Sequence, residues 1–210
     1  MENLKYPKTM HFPWSEGLQN DDRRIETIEN FIGKEIVVTD KLDGENTAMT
    51  RIRCHARSLD SKHHPSRNIV KQIHASIAHN IPEGWKLFGE NVYAKHSIFY
   101  DKLTSYFYLF NIWTDKCECL SWNDTLEWAE ILGLETVPVL YRGIWDEERV
   151  KACWTGKSAF GDQEGYVVRV ASNFNLEEFS TCVGKFVRQG HVQTSKFWMT
   201  EQIIPNLLQN

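Results

Sequence analysis

A lysine at the end of an apolar segment is the first residue in this sequence with a type and setting suited to covalent chemistry. Lys41 follows the segment KEIVVTD, with Asp43 two residues later and Gly44 completing a turn dipeptide. An exposed lysine is only about 0.1% neutral at pH 7.4, so nucleophilic use requires environmental help of up to about 4 kcal/mol. Burial, neighbouring cations or a metal ion can provide it. A surface hairpin turn would contain the same four residues, and that alternative stays open.

Further charged and aromatic residues follow Lys41 in chain order, each at the edge of an apolar segment or within one. They are Arg57 with Ser58, Glu90 in LFGEN, Phe107 and Phe110 in SYFYLFNIW, Glu164 in EGYVVRV, and Lys185 with Arg188 in GKFVR. Each one alone is explained by strand-end polarity or a core aromatic. Their ordered co-occurrence favours one common site.

The elements that must position these residues can be predicted from hydrophobic spacing and turn signals. Helices are predicted over 21–32, 66–79, 123–132, 146–153 and in the tail; strands are predicted over 34–40, 46–53, 85–94, 105–113, 136–143, 164–171 and 183–188. The first two strands are expected to flank the tight turn KLDGE. Irregular alternation and closely spaced strands favour an antiparallel α+β fold over a doubly wound parallel sheet. The sequence contains no Gly-x-Gly-x-x-Gly and no Walker motif, so a nucleotide must be held in another way.

Composition limits the class of protein. The 210 residues, with 41% hydrophobic and 25% charged residues, are enough for one domain with a proper core. No segment approaches the length of about 20 apolar residues that a membrane span needs, and no signal peptide is recognised, which predicts a soluble cytoplasmic protein. The five cysteines are scattered without a Cys-x-x-Cys pair and are expected to be free thiols.

Two local basic segments stand out against a net charge of −4. One runs through Arg51, Arg53, Arg57 and Lys62, and the other contains Lys185, Arg188, Lys196 and the titratable His191. This distribution suits an enzyme that binds phosphates at one site, although a solvated strand or loop face would look the same. The histidines at positions 55, 63 and 64 are expected to be solvated in a basic loop.

These motifs, in this order, resemble those of the covalent nucleotidyltransferases, and within that superfamily the small ATP-dependent RNA ligases. KLDGEN resembles the nucleophile motif, HARS the next, LFGEN and YLFNIW the middle motifs, EGYVVR the fourth and KFVR the last. The match spans about residues 36–196, and KYPKTMHFPWS and HVQTSKFW also resemble segments of compact RNA ligases of phages and bacteria. The resemblance implies a nucleotidyltransferase (adenylation) domain of antiparallel sheets flanked by helices.

The resemblance also implies a role for each matching residue. Lys41 would attack the α-phosphate of ATP and form lysyl-AMP, and Lys185, with Arg188, would neutralise that phosphate. Glu90 would bind the ribose, Phe110 would stack on adenine, and Arg57 would contact the nucleotide or the acceptor 5′-phosphate. Asp40 and Asp43 would complete the nucleotide site. Glu164, with Asp43, would hold Mg²⁺ or Mn²⁺, hard cations that prefer carboxylate oxygens.

Three positions depart from the family pattern. Asp40 precedes the nucleophile where many relatives have glutamate, and Asn111 follows Phe110 where aspartate is common. Many ligases have two lysines two residues apart in the last motif, whereas KFVR has Arg188 in a shifted position, three residues after Lys185. Two histidines, His11 and His191, lie in family-like segments without an assignable chemical step.

The function implied is ligation of RNA 3′-hydroxyl and 5′-phosphate ends, or of nicked RNA, through lysyl-AMP and an adenylated RNA end. We expect one nucleotidyltransferase domain over residues 1–210 without a C-terminal OB-fold. Relatives that ligate DNA or cap mRNA append a barrel of about 100 residues after the last motif, whereas 22 residues follow Arg188 in this sequence. A protein partner could supply that domain. The alternatives are a minimal ATP-dependent DNA ligase and an inactive RNA-binding module, and the second would be expected to have lost Lys41, Glu164 or Lys185.

Overall fold

Two β-sheets form the framework of the protein in a computed structural model that describes residues 5–18, 21–58, 63–190 and 202–209. The strands in these ranges are β1 (Met10–His11), β2 (Glu35–Asp40), β3 (Glu45–Met49), β4 (Cys54–Ala56), β5 (Lys86–Asn91), β6 (Phe107–Trp113), β7 (Glu118–Cys119), β8 (Glu135–Thr136), β9 (Val139–Ile144), β10 (Gly165–Val170), β11 (Phe174–Asn175) and β12 (Val183–Val187). The helices are α1 (Asn68–Ile77), α2 (Trp122–Leu132), α3 (Glu147–Ala152) and α4 (Phe179–Cys182), with 3-10 turns at Pro65–Arg67, Ala78–Asn80 and Leu176–Glu178.

The first sheet has the strand order β1-β12-β10-β2-β9. Its central strand β2 is buried at every residue after Glu35, because Ile36, Val37 and Val38 are β-branched residues that pack well on both faces of a pleated sheet. The pairs in this sheet are antiparallel except β1 with β12, which is parallel.

The second sheet has the order β11-β7-β6-β5-β3-β4, with β8 parallel to β6 and the other pairs antiparallel. One core cluster contains buried residues of both sheets, among them Val38 and Val168 from the first sheet and Phe88 and Trp113 from the second. This cluster lies between the sheets and fixes their faces against each other. The prediction of an α+β protein with antiparallel sheets is confirmed.

Helices α1 and α2 share a separate core with the second sheet, which includes Val70 and Leu132 from the helices and Leu109 from β6. Helix α2 begins where the Ser121 hydroxyl accepts a hydrogen bond from the Asp124 N–H, and it ends at Gly133, whose φ of 65° is the left-handed conformation that glycine favours at helix ends. Both helices, and the short α3, match the sequence prediction. In the described part of the chain, no helix is both long enough and apolar enough to cross a membrane.

The predicted first helix over 21–32 is wrong. Between residues 21 and 34 the described chain forms turns, because its backbone is used in a tertiary contact: the His11 N–H donates to the Arg23 carbonyl, and the Ile25 N–H donates to the His11 carbonyl. These hydrogen bonds place the segment beside β1. The apolar spacing of Ile25 and Phe31 therefore reflects burial of a turn rather than of a helix face.

Two further expectations also need correction. Strands β2 and β3 are not a hairpin, since they belong to different sheets and KLDGE connects one sheet to the other. The predicted helical tail is wrong over 202–209, where isolated bridges join Ala94 to Pro205 and Leu103 to Leu208. The buried Asn206 secures this tail by donating to the Val92 carbonyl at 2.8 Å and accepting from the Tyr100 N–H at 2.9 Å.

Candidate active site

Lys41 lies at the crossing between the two sheets, at the wall of a cavity of about 970 Å³. Its backbone N–H donates to the Gly165 carbonyl at 3.1 Å, which fixes the lysine beside the start of β10. Gly44 then brings the backbone against β5, where an added Cβ would lie 2.5 Å from the Asn91 carbonyl oxygen. The glycine is therefore required for a close approach between backbones, and not for a hairpin turn.

The Lys41 ammonium makes an ion pair with Glu164, with Nζ 2.6 Å from Oε1. Glu164 immediately precedes β10, and its side chain is only 1% exposed. Burial by itself would lower the pKa of Lys41, but the charges of Glu164, Glu90 and Asp43 outweigh it, so the pKa is raised from its ordinary value. Lys41 is therefore held as a cation among carboxylates in this structure.

Two other predicted carboxylates face the same cavity. Burial raises the pKa of Glu90 to about 8; Lys41 opposes the shift, and Glu164 and Asp43 add to it. Burial likewise raises the pKa of Asp40 to about 6, although a hydrogen bond from the Ser158 hydroxyl works against the shift. Its raised pKa makes Glu90 easier to protonate than an exposed glutamate, and the protonated form can donate a hydrogen bond as well as accept one.

Asp43 is anchored by the loop after β5. Its Oδ2 accepts hydrogen bonds from the Ser97 N–H at 2.8 Å, the Ser97 hydroxyl at 2.7 Å and the Ile98 N–H at 2.7 Å. Its own N–H donates to the Tyr100 hydroxyl at 2.9 Å. Because Asn206 holds the backbone of Tyr100, the tail stabilises the loop that fixes Asp43 behind Lys41.

Lys185 approaches the cavity from β12, where it pairs with Val167 of β10, which itself pairs with Thr39 of β2. Residues directly opposite on neighbouring strands share one face, so this row of side chains forms part of the cavity wall. Burial, followed by the nearby charge of Lys41, lowers the pKa of Lys185 to about 8. Two lysines from different strands thus face one cavity that also contains several carboxylates.

Phe110 reaches the cavity because of an irregularity in the second sheet. Between β5 and β6 the register shifts at Phe88 and Gly89, so Phe110 has no partner residue on β5. Such a bulge breaks the alternation of sides along a strand, which allows Phe110 and its neighbour Asn111 both to line the cavity. The Phe110 ring meets Tyr6 edge to face, with centroids 5.2 Å apart.

Asn111, one of the three positions that depart from the family pattern, belongs to a buried polar network. Its Nδ2 donates to the Tyr6 hydroxyl at 2.8 Å, and its Oδ1 accepts from Arg169 at 2.6 Å. Arg169 is only 3% exposed and also donates to the Leu120 carbonyl at 2.6 Å. An amide satisfies both neighbours, since it offers a donor to the phenol and an acceptor to the guanidinium.

Of the two predicted arginines, only Arg57 is among the residues that line the cavity. Arg57 lines the cavity with an exposed side chain, and its Nε donates to the Tyr6 carbonyl at 3.3 Å. Arg188 is not among the described residues that line the cavity. Its backbone N–H donates to the Glu164 carbonyl at 3.1 Å. Lys157 lowers the pKa of Asp162, which is not among the cavity-lining residues, and the charge of Arg188 adds to that shift. A phosphate contact by Arg188 stays a prediction.

Several cavity residues were not recognised as functional from the sequence. They are Asp22, His63, His64, Arg67, His96, Trp122 and Arg169. His63 and His64, predicted to be solvated, both line the cavity, where His63 is exposed and His64 is half-buried. The predicted basic residues Lys62 and Lys196, and His191, lie outside the described residues.

The donor set around Lys41 is suited to a cation that is held jointly by protein and phosphate. Among the described residues, no group of three or more histidine, cysteine, aspartate or glutamate side chains is arranged to hold a metal ion alone. Mg²⁺ in nucleotide sites usually takes one or two carboxylates and completes its shell with phosphate oxygens and water. Glu164, buried at the cavity wall, fits that requirement.

Comparison with known proteins agrees with this geometry. A family model described as RNA ligase matches residues 34–187. Solved structures of Naegleria gruberi RNA ligase are similar: a mutant with ATP and Mn has 19% identity and a TM-score of 0.56, and the enzyme with PPi has 21% identity and a TM-score of 0.57. Each match covers 87% of this chain and 57% of the Naegleria chain. No match was found among curated proteins. The chain belongs to the RNA ligase family.

Proposed function

We propose that this protein is an ATP-dependent RNA ligase that joins RNA 3′-hydroxyl and 5′-phosphate ends through a lysyl-AMP intermediate. The observation that carries the proposal is the contact between Lys41 Nζ and Glu164 Oε1 at 2.6 Å, on a cavity that Lys185 also lines. A nucleophile, a carboxylate for a divalent cation and a second lysine are the groups that phosphoryl transfer to a lysine requires. We also propose that residues 1–210 form one nucleotidyltransferase domain.

In the first step, the neutral Lys41 amine attacks the α-phosphorus of ATP, a P–N bond forms, and pyrophosphate leaves with the electrons of the P–O bond. In the second step, an oxygen of an RNA 5′-phosphate attacks the same phosphorus and the P–N bond breaks. The 3′-hydroxyl of the other RNA end then attacks the activated 5′-phosphate and AMP leaves. Lys185 is the side chain that would neutralise charge on the transferring phosphate.

The remaining predicted residues would bind the nucleotide. Phe110 would stack on the adenine, and the protonated Glu90 carboxyl would hydrogen-bond the ribose. Asp40 and the anchored Asp43 would keep the strand end that carries Lys41 in place. Bound Mg²⁺ or Mn²⁺ would supply positive charge to the α-phosphate and compete with Lys41 for Glu164, which favours the neutral amine. The Naegleria structures with ATP and Mn support this choice of nucleotide and metal class.

The RNA would be bound by the same domain. Arg57 is exposed at the cavity, and Arg51 and Arg53 lie in the loop between β3 and β4. A protein partner would supply any strand-holding domain that this chain lacks. Sealing of RNA by the purified protein alone would show that such a partner is dispensable.

The test of the RNA assignment compares sugars at the ligation junction. With a pre-adenylated donor, replacing the terminal ribonucleotides of the 3′-hydroxyl strand by deoxynucleotides is expected to lower the sealing rate markedly, because the 2′-hydroxyl is the group that distinguishes RNA from DNA. Single-turnover sealing measured by gel electrophoresis gives both rates. Equal rates, or a preference for the all-DNA nick, would favour a minimal DNA ligase instead.

Salt provides an independent check on how the nucleic acid is held. We expect sealing to fall more steeply with KCl concentration than self-adenylation does, by roughly one power of salt for each phosphate contact, because binding RNA releases counterions and binding ATP engages far fewer. The two rates are measured over 50 to about 300 mM KCl at saturating ATP. The same slope for both reactions would show that the RNA backbone contributes little to binding.

A further inference from the structure

The N-terminal segment lies outside the residues that match the RNA ligase family, yet it forms the cavity wall next to Lys185. Asp22 lines the cavity, and its Oδ1 is 3.8 Å from the Nζ of Lys185 and 3.5 Å from the Nζ of Lys8. The side chains of Asp22 and Lys185 are each 12% exposed. Asp22 therefore places a carboxylate near Lys185, although it lies outside residues 34–187, which match the family model.

Asp22 is tied to the strand that carries Lys185 through two intermediate side chains. Its Oδ2 lies 3.1 Å from Nε2 of His11, whose Nδ1 is 2.7 Å from the Ser15 hydroxyl. That hydroxyl accepts a hydrogen bond from the Val187 N–H at 3.0 Å, two residues beyond Lys185 on β12. Since His11 is also the register partner of Lys185, the contacts form a closed ring around this lysine.

The surroundings of His11 favour its neutral form. Burial, followed by the charge of Lys185, lowers the pKa of His11 to about 4, so the imidazole is neutral at pH 7. The Ser15 hydroxyl accepts from the Val187 N–H, so its own proton can go to His11 Nδ1 or to the Val187 carbonyl, 3.5 Å away; donation to Nδ1 goes with a histidine proton on Nε2, the nitrogen that lies 3.1 Å from Asp22. The opposite tautomer would set a lone pair against the carboxylate at 3.1 Å.

Asp22 attracts the Lys185 ammonium without forming a hydrogen bond to it. At 3.8 Å it exceeds the 2.7–3.2 Å of a hydrogen bond, so the Lys185 donors are not committed to this carboxylate. In a partly buried site the attraction still acts at this distance. The charge of Asp22 offsets the repulsion that Lys185 experiences from Lys41, and so gives the ammonium a fixed electrostatic partner in the cavity wall.

We propose that Asp22 is a positioning residue that, held by His11 and Ser15, keeps Lys185 directed at the transferring phosphate. The inference rests on the proposed ligase function, because Lys185 is assigned to the α-phosphate there. It adds to that function a residue from the segment before the matched region. Misplacement of a charged group by about 1 Å can lower a rate by about 100-fold, so loss of Asp22 has a measurable consequence.

The test measures single-turnover self-adenylation at saturating ATP for Asp22→Asn, Asp22→Ala, Lys185→Ala and the double variant Asp22→Ala/Lys185→Ala. We expect each Asp22 substitution to lower the rate by about 10- to 100-fold with ATP affinity changed far less. The double variant is expected to be no slower than Lys185→Ala alone, because residues that act as a unit are not additive. Asp146→Asn is the matched control: Asp146 is 46% exposed, pairs with Arg149 at 3.4 Å and is not among the residues that line the cavity, so its rate should stay within about 2-fold of the parent.

The outcomes separate the inference from the proposed function. Absence of any adduct in the parent protein would refute the ligase proposal itself. An active parent with Asp22 variants of equal rate would overturn the positioning role. So would a double variant whose loss is the product of the two single losses, since that indicates independent structural damage. Asp22→Asn keeps the size of the side chain, so it remains informative if Asp22→Ala does not fold.

Discussion

Lys41→Ala is expected to abolish covalent labelling of the protein by α-labelled ATP. The alanine has no atom that can form a P–N bond, and in the described part of the chain Lys41 is the lysine whose Nζ lies 2.6 Å from Glu164. Incubation with ATP and Mg²⁺, followed by denaturing electrophoresis, should show an acid-labile, alkali-stable adduct in the parent protein and none in the variant. We expect a loss of at least about 1,000-fold, which is typical of removing a covalent nucleophile.

Two controls make this result interpretable. Lys157→Ala removes a lysine that is 77% exposed, is paired with Asp162 at 2.6 Å and is not among the cavity-lining residues, so labelling should be unchanged. Parallel incubations with GTP, CTP and UTP test the nucleotide. Labelling that persists in Lys41→Ala would remove the central claim, and labelling that requires GTP would turn the assignment toward mRNA capping.

Glu164→Gln and Lys185→Ala are expected to lower self-adenylation by at least about 100-fold, because each removes a charge aimed at the transferring phosphate or its cation. Neither change should damage the fold. Glu164→Gln breaks the ion pair with Lys41 but keeps the size of the side chain, and it relieves repulsion on Asp40 and Glu90, whose pKa values the Glu164 charge raises. Lys185 has its pKa lowered by burial and by Lys41, so its removal relieves a comparable penalty. Thermal unfolding should stay within a few degrees of the parent.

Glu35→Gln is a suitable control for the glutamate variant. Glu35 also forms an ion pair, with Arg142 at 2.8 Å, but its side chain is 47% exposed and lies at the start of β2. Its substitution should change neither the adenylation rate nor the unfolding temperature appreciably. Loss of folding in both Glu164→Gln and Lys185→Ala would instead assign these residues to the support of the core.

The local pattern of the chain was enough to find most strands and the residues at their ends. β-Branched and aromatic segments predicted β2, β5, β6, β10 and β12, because strand formation depends largely on side chains that fit a pleated and buried surface. Lys41, Glu90, Glu164 and Lys185 could be identified because they interrupt or terminate those segments. The chemistry proposed for them rests on the resemblance of the ordered motifs to those of RNA ligases.

Tertiary contacts decided what local patterns could not. The register shift that admits both Phe110 and Asn111 to the cavity arises from pairing between β5 and β6, which no single segment encodes. The segment over 21–32 has helical spacing, yet hydrogen bonds to His11 and burial against distant strands favour turns. Propensity contributes only tenths of a kcal/mol per residue, so such contacts override it.

The sequence by itself determined which residues could do the chemistry, since residue type and motif order are properties of the chain. Only the tertiary structure decided that β2 and β3 enter different sheets and place Lys41 at their crossing. It also brought Asp22 from the N-terminal segment to within 3.8 Å of Lys185. These arrangements depend on packing between residues that are distant in the chain, such as Asp22 and Lys185, and the free energy of such contacts is not contained in any local pattern.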